Sequence, residues 1–310
     1  MNEVKVSVCV LSYNHEKYLR DCLEGIVMQR TTFPIEAWVH DDASTDSSQE
    51  IIKEYQQRYP EIIKPILQTE NQYSKKRGSI LQMFLYPQCT GKYIAICEGD
   101  DYWTDPYKLQ KQFDYLETNI EFSMCFHQAK VLSDDKEDVK LYKHLEEREY
   151  RACEIYKDWI IPTCSILFRA NAIPVEKIPA SIVYGDIYLF LLLAEMGRIY
   201  NLNFEGAVYR RNSGGVSQKE DVELYIRLLD QYIFMEKRFP QKELVQVSRE
   251  LQELYLKCII STAYFPDRWK YRLLYMTRHP KLFFSKFGLV TLWQLFHKPI
   301  GKSNNAKHES

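Results

Sequence analysis

The stretch VKVSVCVLSYNHEKYLRDCLEGIVMQ, residues 4–29, decides the fold of this 310-residue chain. Residues 4–11 form an apolar run rich in β-branched side chains, which predicts a buried strand. Residues 16–29 then show the apolar spacing of a helix. A strand followed directly by a helix is the repeating unit of a parallel sheet, so the rest of the N-terminal half is expected to continue this alternation.

The pattern recurs up to about residue 130. Further strands are predicted at residues 35–40, 62–67, 92–97 and 122–127, and helices at 47–59, 78–86 and from Pro106 onward. Residues 133–151 are charged and aperiodic, which indicates a loop. Apolar runs return at residues 163–168, 184–196 and 199–204, and the pattern is mostly helical after residue 218. The chain is therefore predicted to be an α/β protein with a mainly parallel sheet flanked by helices and a helical C-terminal extension.

Composition and charge exclude several classes of protein. The hydrophobic share of 45% is typical of a folded protein. The chain has 41 Lys and Arg against 42 Asp and Glu, and this near-neutral balance argues against a nucleic-acid binder. Eight cysteines occur without a CxxC pair, and neither a secretory signal nor an apolar run of 18 residues is present. We therefore expect a cytoplasmic protein with reduced cysteines.

The near-neutral total conceals a division. Residues 267–310 contain nine Lys and Arg and two acids, whereas the first 266 residues contain 32 basic and 40 acidic residues. Basic residues alternate with aromatic ones in this tail. Such a segment suits contact with an anionic membrane face through residues 267–302, and packing of its aromatic residues on the rest of the protein is an equally simple alternative.

Polar side chains follow three of the predicted strands. The first strand ends in Ser12-Tyr13-Asn14, the second in Asp41-Asp42, and the fourth in Glu98-Gly99-Asp100-Asp101. In an open parallel sheet ligands bind at these carboxyl ends. Two acidic clusters facing one crevice repel each other unless a cation lies between them, and Mg²⁺ or Mn²⁺ is the cation expected with carboxylates and substrate phosphates. Taken singly, each cluster could also be an ordinary turn, a helix cap or a solvated loop.

Three segments, VSVCVLSYNHEKYLRDCL, VHDDASTDSS and GKYIAICEGDDYWTDPYKL, resemble the family 2 glycosyltransferases, which have a GT-A fold. The resemblance is close over residues 4–118 and looser to about residue 217. It implies that the nucleotide base lies against Ser12 and Tyr13 and is bound by Asp41 or Asp42. Glu98 and Asp100 would also contact the nucleotide. Glu98 stands where the family's metal-binding DxD segment usually begins with Asp, and Asp100 and Asp101 are the metal candidates.

The resemblance also extends to the second half of the domain. Asp186 matches the family's catalytic base, although by itself it could be a helix cap. Arg210, with Arg211 beside it, matches a segment that folds over the diphosphate, and Asn212 replaces a common His. Tyr102 and Trp103 are candidates for contact with the acceptor because flat rings pack on sugar faces, with ordinary packing beneath the loop as the alternative.

The expected function is that of a metal-dependent, inverting hexosyltransferase. It would move one sugar from a nucleotide sugar, with UDP the expected nucleotide, to a hydroxyl of a saccharide or lipid-linked acceptor, as in surface polysaccharide synthesis. The expected domains are residues 1–218, with a nucleotide-binding half at 1–130 and an acceptor half at 131–218, and an extension at 219–310. A catalytically silent sugar-nucleotide-binding subunit is the alternative. A dinucleotide-dependent oxidoreductase is disfavoured because no GxGxxG follows the first strand.

Overall fold

A computed structural model describes residues 3–76, 79–133, 136–173, 178–179, 182–211, 221–261, 268–278 and 280. Contacts divide the chain into two compact units, residues 1–218 and 219–310. Within the described residues the first unit contains the sheet and the second contains helices.

Ten strands are described. In chain order they are β1 (Val6–Ser12), β2 (Ile35–Asp41), β3 (Ile63–Leu67), β4 (Tyr93–Glu98), β5 (Tyr102–Trp103), β6 (Phe122–Ser133), β7 (Lys136–Leu141), β8 (Glu149–Tyr150), β9 (Leu167–Arg169) and β10 (Arg198–Arg211).

The described α-helices number nine. They are α1 (Leu19–Val27), α2 (Ser48–Arg58), α3 (Gln72–Lys76), α4 (Lys108–Thr118), α5 (Ala152–Asp158), α6 (Gly185–Met196), α7 (Val222–Arg238), α8 (Lys242–Ser261) and α9 (Arg268–Arg278).

The strands form one sheet in the order β3-β2-β1-β4-β9-β6-β10-β5, with β7 paired to β6 and β8 paired to β10. The longest ladders are parallel: β1 with β2 and β4, β2 with β3, and β6 with β10. The short β5, β7, β8 and β9 join antiparallel. The predicted α/β class with a mainly parallel sheet and a helical C-terminal part is confirmed.

The core explains why the early strands were readable from sequence. Val6, Val8 and Val10 of β1 are buried on one face of the sheet, where they join a cluster with Leu23 and Ile26 of α1. Burying each such side chain contributes about 1.5–3 kcal/mol. The alternation of strand and helix patterns in the sequence therefore reflects the burial of the strands against the helices that cover them.

Two predicted elements differ in the structure. The helix predicted at residues 78–86 is instead a π-helical turn at Leu81–Leu85 followed by a 3₁₀ turn at Tyr86–Gln88. Pro87 lacks the backbone N–H that a continuing α-helix would use, which accounts for the break. Residues 133–151, predicted as a loop, contain β7 and β8.

The helical unit has its own small core of Leu229, Leu256 and Ile259. Three residues of α9 pack against this core from within the same unit: Tyr271, Leu274 and Tyr275. In the described part of the chain no helix is both long enough and apolar enough to cross a membrane. Most of the basic tail, including residues 281–302, lies outside the described residues.

Candidate functional site

The carboxyl ends of β1 and β2 are tied together by hydrogen bonds. Asp42 donates its backbone N–H to the Ser12 carbonyl at 2.9 Å, and Thr45 donates its N–H to Asn14 Oδ1 at 2.8 Å. Asn14 has a positive φ of 55°, a conformation that Asn tolerates, and donates its own N–H to Ser44 Oγ. The two predicted nucleotide-binding segments therefore form one edge of the sheet.

Asp41 and Asp42 have different partners at this edge. Asp41 is fully buried and accepts hydrogen bonds from the Ser44 N–H at 2.9 Å and from Gln49 Nε2 at 2.8 Å. Asp42 accepts from the backbone N–H groups of residues 72 and 73, at 2.7 and 3.0 Å. Asp41 thus stabilises the turn, whereas Asp42 fixes the start of α3. Both carboxylates are buried, and contact of Asp41 or Asp42 with the nucleotide stays a prediction.

Ser12 and Tyr13 offer groups to a ligand in different ways. Ser12 is nearly buried, and among the described residues its hydroxyl has no hydrogen-bond partner. Tyr13 is 46% exposed. An unpartnered buried hydroxyl beside an exposed ring is consistent with the expected position of the nucleotide, because each leaves an interaction unused.

A cluster of acids forms where β4 and α6 approach each other. Glu98 and Asp100 at the end of β4 are half-buried, and Asp186 lies in the first turn of α6. Burial, together with the charges of Asp100 and Asp186, raises the pKa of Glu98 to about 8. Because such effects need proximity, the structure brings Asp186 to the acidic segment that lies some ninety positions earlier in the chain.

Asp186 is held at the start of α6 by the N–H of Ile187, which donates to its Oδ1 at 2.8 Å. Burial raises the pKa of Asp186, and this backbone hydrogen bond partly offsets the effect. A carboxylate whose pKa is raised binds protons more readily, which is the property that a general base needs.

Asp101 faces inward, unlike its neighbour Asp100. It is fully buried, and its Oδ1 accepts the backbone N–H of Arg210 at 2.8 Å. Burial raises the pKa of Asp101 well above its usual range, and the charges of Asp100 and Glu98 add to the effect. The enclosed carboxyl of Asp101 therefore joins the acidic loop to β10, and its role as a metal ligand stays a prediction.

Arg210 also has a different place from the one predicted. Its side chain is only 9% exposed, forms an ion pair with Asp21 of α1, and donates Nη1 to the Asp100 carbonyl at 3.0 Å. The guanidinium also lies 4.3 Å from the centroid of the Tyr102 ring. These contacts occupy the group that was predicted to bind the diphosphate. Arg210 joins α1, β10 and the acidic loop, and the exposed neighbour Arg211 is the arginine available to a ligand.

The predicted acceptor residues Tyr102 and Trp103 also differ in burial. Trp103 is 2% exposed, donates Nε1 to the Cys164 carbonyl at 2.8 Å, and has Lys108 Nζ 4.1 Å from its ring centroid. Trp103 is therefore a core residue, which fits the alternative of ordinary packing, and its contact with an acceptor stays a prediction. Tyr102 is half-buried against Arg210.

The described residues fit a divalent cation only in part. Among them, no group of three or more His, Cys, Asp and Glu side chains is arranged to hold a metal ion. Mg²⁺ and Mn²⁺ in phosphate-binding sites commonly use one or two carboxylates and complete their shell with water and substrate phosphates. The half-buried Asp100 and Glu98, whose negative charges repel each other, provide two carboxylates of this kind. Asn212 lies outside the described residues.

Several aromatic residues near Asp186 were missed by the sequence reasoning. Trp159 packs edge-to-face on Tyr184 with ring centroids 4.6 Å apart, and Tyr142 packs similarly on Tyr209 at 5.7 Å. The Asp186 charge raises the pKa of both Tyr142 and Tyr184, with burial the larger cause. No motif or periodicity marks these residues, because they come from separate loops and strands.

The comparisons with known proteins agree with this geometry. The family model for glycosyl transferase family 2 matches residues 7–173. An uncharacterised protein of Mycobacterium tuberculosis is 38% identical over 213 residues, which is 68% of this chain and 60% of that protein. The chain thus spans about three fifths of this relative's length.

Two solved structures resemble the fold. Residues 1–349 of Staphylococcus aureus TarS, in complex with UDP-GlcNAc, are 16% identical, with a TM-score of 0.63 over 93% of this chain and 89% of that one. The mannosyltransferase PcManGT of Pyrobaculum calidifontis, in complex with GDP-Man and Mn²⁺, is 15% identical, with a TM-score of 0.54 over 95% of this chain and 85% of that one. At such identities the likeness concerns the fold alone, and it confirms the expected GT-A architecture. Together with the match of the family model over more than half of the sequence, it shows that the chain belongs to glycosyltransferase family 2.

Proposed function

We propose that the protein transfers one sugar from a nucleotide sugar to a hydroxyl group of a saccharide or lipid-linked saccharide, with inversion at the anomeric carbon. The observation that carries this proposal is the approach of Asp186 to the Glu98 and Asp100 segment. A base for the acceptor hydroxyl, and carboxylates that can hold a cation against the leaving diphosphate, are the two parts that a single displacement requires.

The donor is proposed to lie along the ends of β1, β2 and β4, with its base near Ser12, Tyr13 and Asp42. UDP is the proposed nucleotide, supported by the fold shared with TarS, whose structure contains UDP-GlcNAc. Mg²⁺ or Mn²⁺ would be held by Asp100 with Glu98, and when bound would neutralise charge on the departing diphosphate. PcManGT, which contains Mn²⁺ beside GDP-Man, supports this choice of cation.

The residues of the chain have separate tasks in this proposal. Asp186 takes the proton from the acceptor hydroxyl as that oxygen attacks the anomeric carbon. Arg211, exposed on the same strand as the buried Arg210, contributes positive charge near the phosphates. Asp101 and Arg210 keep the acidic loop in place through the contacts described above. A single attack with one base inverts the configuration at the sugar.

The basic tail completes the proposal. We place the acceptor at an anionic membrane face, inside the cell, and assign the contact to residues beyond α9. The support is their charge, since five of the tail's nine basic residues lie after residue 280. The packed aromatic residues of α9 itself are not part of this contact.

The direct test replaces Asp186→Asn. The wild type is expected to release UDP from at least one UDP-sugar in a metal-dependent manner. The variant should lose about 10²–10⁴-fold of the transfer rate while binding UDP with unchanged affinity in calorimetry. Asp230→Asn, a change of the same type in the helical unit, is the matched control and should keep full activity.

The outcomes separate the alternatives. If the wild type binds UDP-sugars but neither hydrolyses nor transfers them, the chain is a binding subunit. If Asp186→Asn keeps the wild-type rate, Asp186 is not the base. Retained anomeric configuration in the first product, followed by NMR, would contradict the single displacement.

A further inference from the structure

Trp159 occupies a position that favours glycine. It follows the last residue of α5 and adopts a left-handed conformation, with φ 47° and ψ 57°. Helices often end in this conformation, usually at Gly, because a side chain there costs about 1–2 kcal/mol. A large aromatic residue at such a position indicates that the side chain contributes something that glycine would lack.

The surrounding residues hold the indole ring in one orientation. Tyr142 donates its hydroxyl to the Trp159 carbonyl at 3.0 Å, which fixes the backbone. Tyr184 meets the ring edge-to-face at an interplanar angle of 87° and a centroid distance of 4.6 Å. An edge-to-face contact fixes a ring in place and engages only part of its π surface.

The indole of Trp159 also carries groups that suit the binding of a sugar. Trp159 is half-buried. An indole presents an aromatic surface and carries one N–H group that can donate a hydrogen bond. This is the combination that recognises a sugar, which has an apolar face of C–H groups and a rim of hydroxyls.

Trp159 and the proposed base line the same small recess. Besides these two residues its walls are apolar: Ile155, Ile160, Ile161, Ile187 and Phe190. The recess has a volume of about 10 Å³, which is too small for a sugar ring. A sugar at this place would lie across the opening, in contact with the indole, with one hydroxyl towards Asp186.

We propose that Trp159, held by Tyr142 and Tyr184, is the surface on which the acceptor sugar packs while Asp186 meets its attacking hydroxyl. The inference rests on the proposed function and adds the acceptor side of the site. It assigns to Trp159 a role in acceptor recognition and none in binding the donor.

The test measures binding of sugars without turnover. Saturation-transfer NMR is applied to the full chain with UDP and a panel of methyl glycosides of glucose, galactose, mannose, N-acetylglucosamine, N-acetylgalactosamine and rhamnose. At least one glycoside is expected to receive saturation from the wild type. The signal should be lost in Trp159→Ala and Trp159→Leu, and retained in Tyr107→Ala, which removes a 46% exposed ring elsewhere on the surface.

Kinetics provide the second readout. Trp159→Ala is expected to raise the KM for the glycoside about tenfold, with the donor KM and the hydrolysis of donor by water unchanged within about twofold. Trp159→Phe should restore most of the acceptor affinity because it keeps a flat ring. Trp159→Leu keeps the apolar bulk beside Tyr184, so it tests the loss of the flat ring if the alanine variant does not fold.

The result that overturns the proposal is equally definite. No saturation of any glycoside by the wild type, or equal saturation by the wild type and Trp159→Leu, would reject the acceptor surface. Because the NMR experiment needs no transfer, it distinguishes this failure from an absence of glycosyltransferase activity. Parallel changes in donor and acceptor KM would show a structural role instead.

Discussion

At the scale of single residues, the structure separates neighbours that the sequence presents as equivalent. Asp100, Tyr102 and Arg211 are at least partly exposed, whereas Asp101, Trp103 and Arg210 are buried. Successive side chains of a strand point to opposite faces, so adjacent residues in β5 and β10 receive opposite environments. Sequence reasoning identified the correct segments but could not say which neighbour faces the ligand.

Arg210 and Arg211 provide a direct test of this separation. We expect Arg210→Ala to lower the free energy of unfolding by about 2–4 kcal/mol, because it removes the guanidinium hydrogen bond to the Asp100 carbonyl and the contact with the Tyr102 ring, while the backbone N–H bond to Asp101 remains. Asp21 is more than half exposed, so the ion pair itself contributes less than about 1 kcal/mol of this. Arg211→Ala, the matched control, should change stability by less than about 0.5 kcal/mol and weaken UDP binding.

Urea denaturation followed by circular dichroism measures the first quantity, and calorimetry with UDP measures the second. Equal stability of the two variants, with UDP binding lost only in Arg210→Ala, would restore Arg210 to the diphosphate.

At the scale of elements, the long strands were predicted from sequence and the short ones were not. The strands β1, β2 and β4 are almost wholly buried, so their signal is local, whereas β3 buries only Ile63 fully. β5 and β8 contain two residues each, and they exist only because β10 supplies their partners. Pairings between residues about a hundred positions apart for β5, and about fifty for β8, leave no periodicity in either segment.

The contact between α1 and β5 shows how tightly such a pairing is packed. A Cβ atom at Gly25 of α1 would lie 2.8 Å from the backbone nitrogen of Trp103. This backbone contact allows the helix to lie directly on the short strand that follows the acidic loop.

We expect Gly25→Ala to destabilise the protein by about 1–3 kcal/mol, since neither backbone can retreat without moving the acidic loop. Gly185→Ala is the matched control, because a Cβ at that first residue of α6 meets no atom within 4 Å. The control should be neutral or more stable by up to about 1 kcal/mol. Thermal unfolding of both variants decides the matter, and equal melting temperatures would contradict the close packing of α1 on β5.

At the scale of the whole molecule, the charge division does not coincide with the boundary between the two compact units. The units are residues 1–218 and 219–310, so the basic tail that begins at residue 267 belongs to the helical unit. Within the helical unit, α9 contributes Tyr271, Leu274 and Tyr275 to the core, and Arg278 donates to Gln252 Oε1 at 2.7 Å. These residues were expected to be candidates for membrane contact, and the structure assigns them to internal packing.

Deletion of residues 281–310 tests the proposed membrane contact while keeping α9. We expect the shortened protein to unfold at the same temperature as the full chain and to lose flotation with vesicles of phosphatidylglycerol and phosphatidylcholine. Pure phosphatidylcholine vesicles are the control, since attraction of basic residues requires anionic lipid. Equal flotation of both proteins would assign membrane binding elsewhere or exclude it.

The fold class and the family could be predicted from the sequence alone, and so could the polar segments proposed for the site. These depend on local features: runs of apolar residues that must be buried, and polar groups that follow them directly. Only the tertiary structure decided which members of those segments face the crevice, that Asp186 reaches Glu98 and Asp100, and that Trp159 stands beside Asp186. Such relations depend on distance and burial between residues far apart in the chain, and no local pattern encodes them.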